Sequence, residues 1–275
     1  MSHRFNRLRA LSAALLCFAA AAAADSTLDF QVQKGERASS QPVLIQPGTV
    51  LIRSAGGQDQ LDILYERNPE RLVLIDHSKQ RYTPITDQEV DRLARQAEEL
   101  KPLLRGLGEQ LRKLPPKQRE KWQGLLGGLP LDEFDAAKHT LEATSLHKTG
   151  VGKSLAGIAC QQLRVVKGGT PAAELCLANP STLPLPADDS ATLLALLEFT
   201  QRLARKAQAL TLQFGIDLPA GSVAELSGIP LELRELEGKQ PLSLALRQIS
   251  GGALGGSPLR VPEGYRARDL VALWH

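Results

Sequence analysis

From Thr27 to Lys34 the residues Leu28, Phe30 and Val32 alternate with polar neighbours, the period of a strand with one buried face. Further short runs of strand character follow at Val43 to Gln46, Thr49 to Ser54, Leu61 to Arg67, Arg71 to Asp76 and Arg81 to Ile85. Pro47-Gly48, Gly56-Gly57, Asn68-Pro69 and His77-Ser78 separate them, and each pair is a turn signal. The pattern predicts an antiparallel meander. At Thr86 the period changes. Thr86-x-x-Glu89 is a capping box ahead of Val90, Leu93, Ala94, Ala97 and Leu100, which share one helical face. Pro102 and Pro115-Pro116 are expected to divide the region from Asp87 to Leu126 into about three short helices, with Leu103, Leu104, Leu107, Leu111 and Leu114 continuing the apolar stripe.

Strand character returns at Thr140 to Thr149, Ile158 to Lys167 and Ala172 to Ala178, the last two joined at Gly168-Gly169 as a hairpin. A proline-punctuated connection, Asn179 to Ala187, leads to Asp188-Asp189-Ser190, which offer caps for a second amphipathic helix carrying Leu193, Leu196, Leu197, Leu203, Ala204, Ala207 and Leu210. Strands are then expected at Val223 to Leu226, Ile229 to Leu236 and Leu242 to Ile249. No internal repeat of fixed period interrupts this order.

The first 24 residues change how composition is read. Arg4, Arg7 and Arg9 precede an apolar run from Leu11 that ends in Ala22-Ala23-Ala24, the layout of a secretory signal peptide cleaved before Asp25 or, within the alanine run, a residue or two earlier. The run is shorter than the roughly 20 residues of a spanning helix. Leu16 stands where lipid attachment at Cys17 would need a small residue, so a lipoprotein is excluded. Of 33 Lys and Arg, three lie in this leader, and the remaining 30 equal the 30 Asp and Glu. The mature chain is thus formally neutral, without the basic excess of a nucleic-acid-binding protein, and no stable membrane span is expected after cleavage. Export also recasts the cysteines. With Cys17 removed, Cys160 and Cys176 form an even pair, read first as a disulfide. A turn centred on Gly168 sets the two directly opposite each other, and a bulge would shift that register.

Motifs that carry chemistry fail on specific residues. Gly152-Lys153-Ser154 ends like a phosphate-binding loop, but His147 replaces the opening glycine. A nucleophile elbow centred on Ser154 has Ala156 at its closing glycine. Ser145-x-x-Lys148 and Lys148-Thr149-Gly150 match fragments of penicillin-binding enzymes, yet share one lysine that cannot fill two roles. His77, His139, His147 and His275 form no metal motif, and eight residues of strand put His139 and His147 about 26 Å apart. Trp274 echoes the terminal aromatic of membrane barrels, but helices interrupt the strands. The expectation is no catalytic residue, no metal and no cofactor.

Leu155-Ala156-Gly157-Ile158-Ala159-Cys160, leading through Val165-Val166 to Ala173-Glu174-Leu175-Cys176, and the closing Val261-Pro262-Glu263-Gly264-Tyr265 resemble exported bacterial domains of unknown function related to the periplasmic lipoprotein-carrier (LolA/LolB-like) superfamily. The resemblance implies an α+β fold in which a curved antiparallel sheet, an incomplete barrel, has helices packed as a lid on its concave face. Residues 25–275 would form one such domain, with a helical insertion at about 87–126. It further implies a periplasmic, non-catalytic binding protein for a hydrophobic or acyl-chain ligand or a lipoprotein. The alternative is a cell-envelope scaffold or protein-interaction module whose core is filled by its own side chains.

Overall fold

The computed structural model describes residues 25–54, 61–115, 144–212, 226–238, 240–252 and 259–270. The leader, the helical pieces expected beyond residue 115, most of the strand expected at 223–226, and His139, Trp274 and His275 lie outside them. The described chain runs β1 (Ser26–Lys34), β2 (Arg37–Gln46), β3 (Thr49–Ile52), β4 (Leu61–Arg67), β5 (Glu70–Asp76), β6 (Arg81–Ile85), α1 (Asp87–Arg112), β7 (Thr144–Leu155), β8 (Ile158–Lys167), β9 (Thr170–Ala178), α2 (Ala187–Leu212), β10 (Ile229–Glu235), β11 (Leu242–Gly251) and β12 (Arg266–Ala267). All twelve strands join one open sheet in the order β12-β6-β5-β4-β3-β2-β1-β11-β10-β9-β8-β7. Every pairing among the described residues is antiparallel except that of β12 with β6. The class is α+β, and β1 to β6 are the expected meander.

Three local expectations are corrected. First, β2 begins at Arg37 and runs through Pro42. Within a strand a residue's N–H and C=O point to the same side. The Pro42 carbonyl accepts from Arg53 N on the β3 flank, where β3 has just ended, so the missing proline donor leaves the β1 ladder intact. Second, α1 is one helix of 26 residues with Pro102 inside it. Pro102 is exposed, and a carbonyl freed on the solvent side can be hydrated. Third, α2 starts at Ala187, so Asp188 and Asp189 lie in its first turn rather than capping it; there their charge suits the positive end of the helix dipole. The Thr86 cap is present, its Oγ1 accepting from Glu89 N at 3.1 Å.

The sheet buries both faces. On one, Leu28 and Phe30 of β1, Val43 and Ile45 of β2, Tyr65 of β4, Cys160 of β8, Cys176 of β9, Leu231 of β10 and Leu246 of β11 form a single cluster with Leu193, Leu196 and Phe199 of α2. On the other, Leu44, Leu51, Leu64, Val73 and Ile75 are covered by Leu259, Val261 and Tyr265 of the C-terminal segment. A third cluster joins Leu163 and Val165 of β8 to Leu175 and Leu177 of β9.

Candidate functional site

The space where the sequence predicts a ligand is the face under α2. Phe199 is 1% exposed, its ring 5.8 Å from that of Tyr65 and 5.3 Å beneath the Arg202 guanidinium. Burial, reinforced by the Glu70 carboxylate, pushes the Tyr65 phenol up to about 12. Arg202 donates to Glu70 at 2.5 Å and lies 3.5 Å from Asp87, while Lys206 meets Asp87 at 3.0 Å and Asp91 at 2.9 Å. These pairs tie α2 to the β4–β5 turn and to the first turns of α1. The apolar face of α2 therefore rests directly on the sheet, and protein side chains occupy the contact.

Cys160 and Cys176 stand at disulfide distance, S–S 2.10 Å and Cα–Cα 5.5 Å. They are not directly opposed as the simple turn predicts. Gly168 and Gly169 both adopt positive φ in the two-residue turn, and a bulge at Val165/Val166 then shifts the register, pairing Cys160 with Ala178 and Gln162 with Cys176. The sulfurs meet along a diagonal of one face. In the preceding hairpin Leu155 pairs with Ile158, so Ala156 and Gly157 are its two turn residues, both at positive φ. The glycine of the family-like motif serves this turn.

Three polar groupings were not legible in the sequence. His77 Nε2 lies 3.0 Å from Asp62 Oδ2 and Nδ1 2.9 Å from Tyr265 Oη. A carboxylate only accepts, so Nε2 donates to Asp62, and in the neutral ring Nδ1 accepts from the tyrosine hydroxyl. This clasp fastens Tyr265 of the V-P-E-G-Y segment to the sheet. Glu174 on β9 receives Arg234 of β10 at 2.7 Å and Arg164 of β8 at 3.3 Å. Ser26 Oγ donates to Asp189 Oδ2 at 2.6 Å. Their partners lie on different elements, 10 to 188 residues apart in the chain, so no local spacing announces them. Among the described residues no group of three His, Cys, Asp or Glu could hold a metal ion. His147 meets Ser145, at 2.9 Å.

The β7–β8 hairpin has a different character. Among the described residues β7 is the terminal strand of the sheet, flanked by β8 alone. No acidic residue occurs from Ala143 to Ala173, while Lys148, Lys153, Arg164 and Lys167 fall within that stretch. A bulge between Lys148 and Gly152 interrupts the edge, and Val151 is 49% exposed. Beside it lies an open cleft of about 510 Å³ lined in part by Lys148, Lys153, Gln161, Asn179, Thr182 and Gly228. Lys153 is held by Glu232 at 2.8 Å. Gly228 is required here, since a β-carbon on it would fall 2.6 Å from the Ala178 carbonyl oxygen.

No protein-family model and no curated protein matches the chain. Among solved structures the chain is weakly similar to an uncharacterized conserved protein from Thermus thermophilus, with TM-score 0.40 and 8% identity over 90% of this chain and 91% of that one. It is also weakly similar to PNGF-II, with TM-score 0.40 and 7% identity over 91% of this chain and 32% of that one. A third neighbour is MucB, with TM-score 0.32 and 12% identity over 88% of this chain and 57% of that one. MucB in complex with MucA(peri) matches at TM-score 0.26. The chain thus spans about a third of PNGF-II and just over half of MucB. No helix among the described residues is long and apolar enough to cross a membrane.

Proposed function

We propose that this chain is a non-catalytic protein-interaction module of the cell envelope, reached through its leader. The observation that carries this reading is the packing of Leu193, Leu196 and Phe199 against the sheet. An acyl chain enclosed beneath α2 would have to displace side chains that are 1–9% exposed; a partner bound on the outside displaces nothing. The docking surface is the outer edge of β7, and its occupant an extended, acidic segment of a second envelope protein. Main-chain hydrogen bonds to an edge that no described strand occupies supply affinity, and Lys148, exposed at the bulge in a stretch without acidic residues, supplies the sign of charge.

A photo-crosslinking residue at Val151, with a control at the exposed Gln33, tests this in intact cells. One reproducible adduct at Val151, absent at Gln33 and weakened by Lys148→Glu, is expected. Absence of any adduct, together with fatty acid carried through purification and detected by native mass spectrometry, would overturn it in favour of the hydrophobic-ligand reading.

A further inference from the structure

The expected end of the leader and the first turn of α2 meet at one place. Ser26, the first residue of β1, is 1% exposed, and its hydroxyl holds one oxygen of Asp189, 163 residues away in the chain. Asp189 is also 1% exposed, and its other oxygen, Oδ1, is buried without a hydrogen-bond partner. An acceptor left in that state is destabilising by roughly 1–3 kcal/mol. Burial pushes the Asp189 carboxyl above its usual range; the Ser26 hydroxyl works against that rise, and the charges of Asp25 and Asp188 add to it. No cation is among the groups acting on it.

We propose that the Asp189 carboxylate is the receptor for the chain's own α-ammonium group, created at Asp25 when the leader is cut away, so that β1 and α2 are locked together only in the processed protein. The inference rests on the reading that residues 1–24 are a cleaved leader. Hydrolysis of the Ala24–Asp25 amide adds water across the bond. Its oxygen goes to the Ala24 carboxylate, and the nitrogen leaves as an amine that takes up a proton at neutral pH, the ordinary α-amino value being about 7.7–8.0. A neutral amide with one donor becomes a cation with three.

Asp25 is already fixed where this matters. It is buried, its carbonyl accepts from Gly252 N at 3.0 Å, and its carboxylate accepts from Gln46 Nε2 at 3.2 Å. Asp25 is bonded directly to the serine that touches Asp189, their Cα atoms about 3.8 Å apart. The titratable groups converging there are Asp25 from the start of β1 and Asp188 and Asp189 from α2. A second bond, Gly48 N to Thr192 Oγ1 at 2.8 Å, holds the same turn of α2 to the β2–β3 turn. The ammonium therefore acts on the docking of the helix that fills the core. The precursor is the less stable form, and stability arrives with processing.

The test compares unprocessed precursor with the exported, processed protein, each with and without Asp189→Asn, by thermal melting between about pH 6 and pH 10. The processed protein should melt higher at neutral pH and lose that advantage as the pH rises through the raised amine value. Precursor should show no such step, and Asp189→Asn should remove it from the processed form. The α-amine should also react with cyanate about tenfold more slowly in folded than in unfolded processed protein, the factor set by a one-unit rise. This readout needs no variant, and Ser26→Ala, which keeps the carboxylate, should retain both effects. A chain beginning at Asp25 with no alkaline step and no protected amine overturns the ion pair alone. A step that survives Asp189→Asn does the same. Intact mass of the exported protein separates the two levels: retention of residues 1–24 overturns the leader reading, and a start at another residue overturns the proposed receptor.

Discussion

Phe199 is the largest of the buried side chains that α2 sends into the core beneath it. Its ring fills the angle between Tyr65 and the Arg202 guanidinium, and Arg202 is in turn held by Glu70 and Asp87. Phe199→Ala should destabilise by about 3–5 kcal/mol, because little around it can collapse into the space. Urea unfolding monitored by circular dichroism checks this, and a loss below about 1 kcal/mol would show that α2 is not the closed cover described. The sequence marks the stripe that includes Leu193 and Leu196 but not the role of Phe199, since helical period identifies a face and not which side chain meets an aromatic from another element. The buried Ser26–Asp189 pair was invisible for a related reason. Asp188-Asp189-Ser190 reads as a helix start, and only the fold shows that one of these carboxylates is turned inward.

At the scale of elements, the edge half of the sheet is fastened by two different bonds. Cys160 and Cys176 close a loop with a sequence separation of 16 between neighbouring strands. Replacing both by serine should cost roughly 3 kcal/mol in the chain-entropy account, a fall of about 6–12 °C in Tm for a chain of this size. Differential scanning calorimetry reads it, and an unchanged Tm would mean that the strands need no staple. The second bond is Glu174, whose cross-strand neighbours are Arg164 and Arg234. Burial alone would raise its carboxyl, but the hydrogen bonds from Arg234 and Arg164 win and hold it below the usual glutamate range. The native state then binds fewer protons than the unfolded chain, so this stability is present above about pH 4.3 and is lost as the pH falls toward the folded value. Glu174→Gln should flatten Tm against pH in that acid window and leave the neutral-to-alkaline slope alone.

The strand ranges were largely legible, because alternation and paired turn residues are local; Leu61–Arg67, Arg81–Ile85 and Ile158–Lys167 stand where the pattern put them. The diagonal cysteine register was not, because the turn takes both Gly168 and Gly169, which moves the pairing by one residue, and the bulge that moves it by another leaves no mark in residue type. The unbroken α1 was missed because proline's cost depends on whether the freed carbonyl meets water.

The whole molecule is an open sheet with different covers on its two faces, and the second cover was the larger surprise. One signal for it was present. Val43-Leu44-Ile45, Val50-Leu51 and Leu64-Tyr65 are consecutive apolar residues, where a sheet wet on one side would alternate. The outward members of these runs, Leu44, Leu51 and Leu64, with Val73 and Ile75, lie under Leu259, Val261 and Tyr265. That segment is pinned at both ends, by Leu259 N donating to Gln46 Oε1 at 3.1 Å and by the Tyr265–His77–Asp62 clasp, before Arg266–Ala267 adds as β12. Its closing turn uses Gly264 at a φ of 82°. Tyr265→Phe keeps the packing and removes one donor, for about 0.5–1.5 kcal/mol. A chain ended before Leu259 loses the cover altogether and presents five contiguous aliphatic side chains, a surface that associates in water. It should bind a hydrophobic dye strongly and sediment as a concentration-dependent oligomer, while Tyr265→Phe keeps the sedimentation and the dye response of the unaltered protein. If the shortened chain were equally inert, the sheet would have to close over that face by itself, and the C-terminal segment would be an ornament on a fold complete without it.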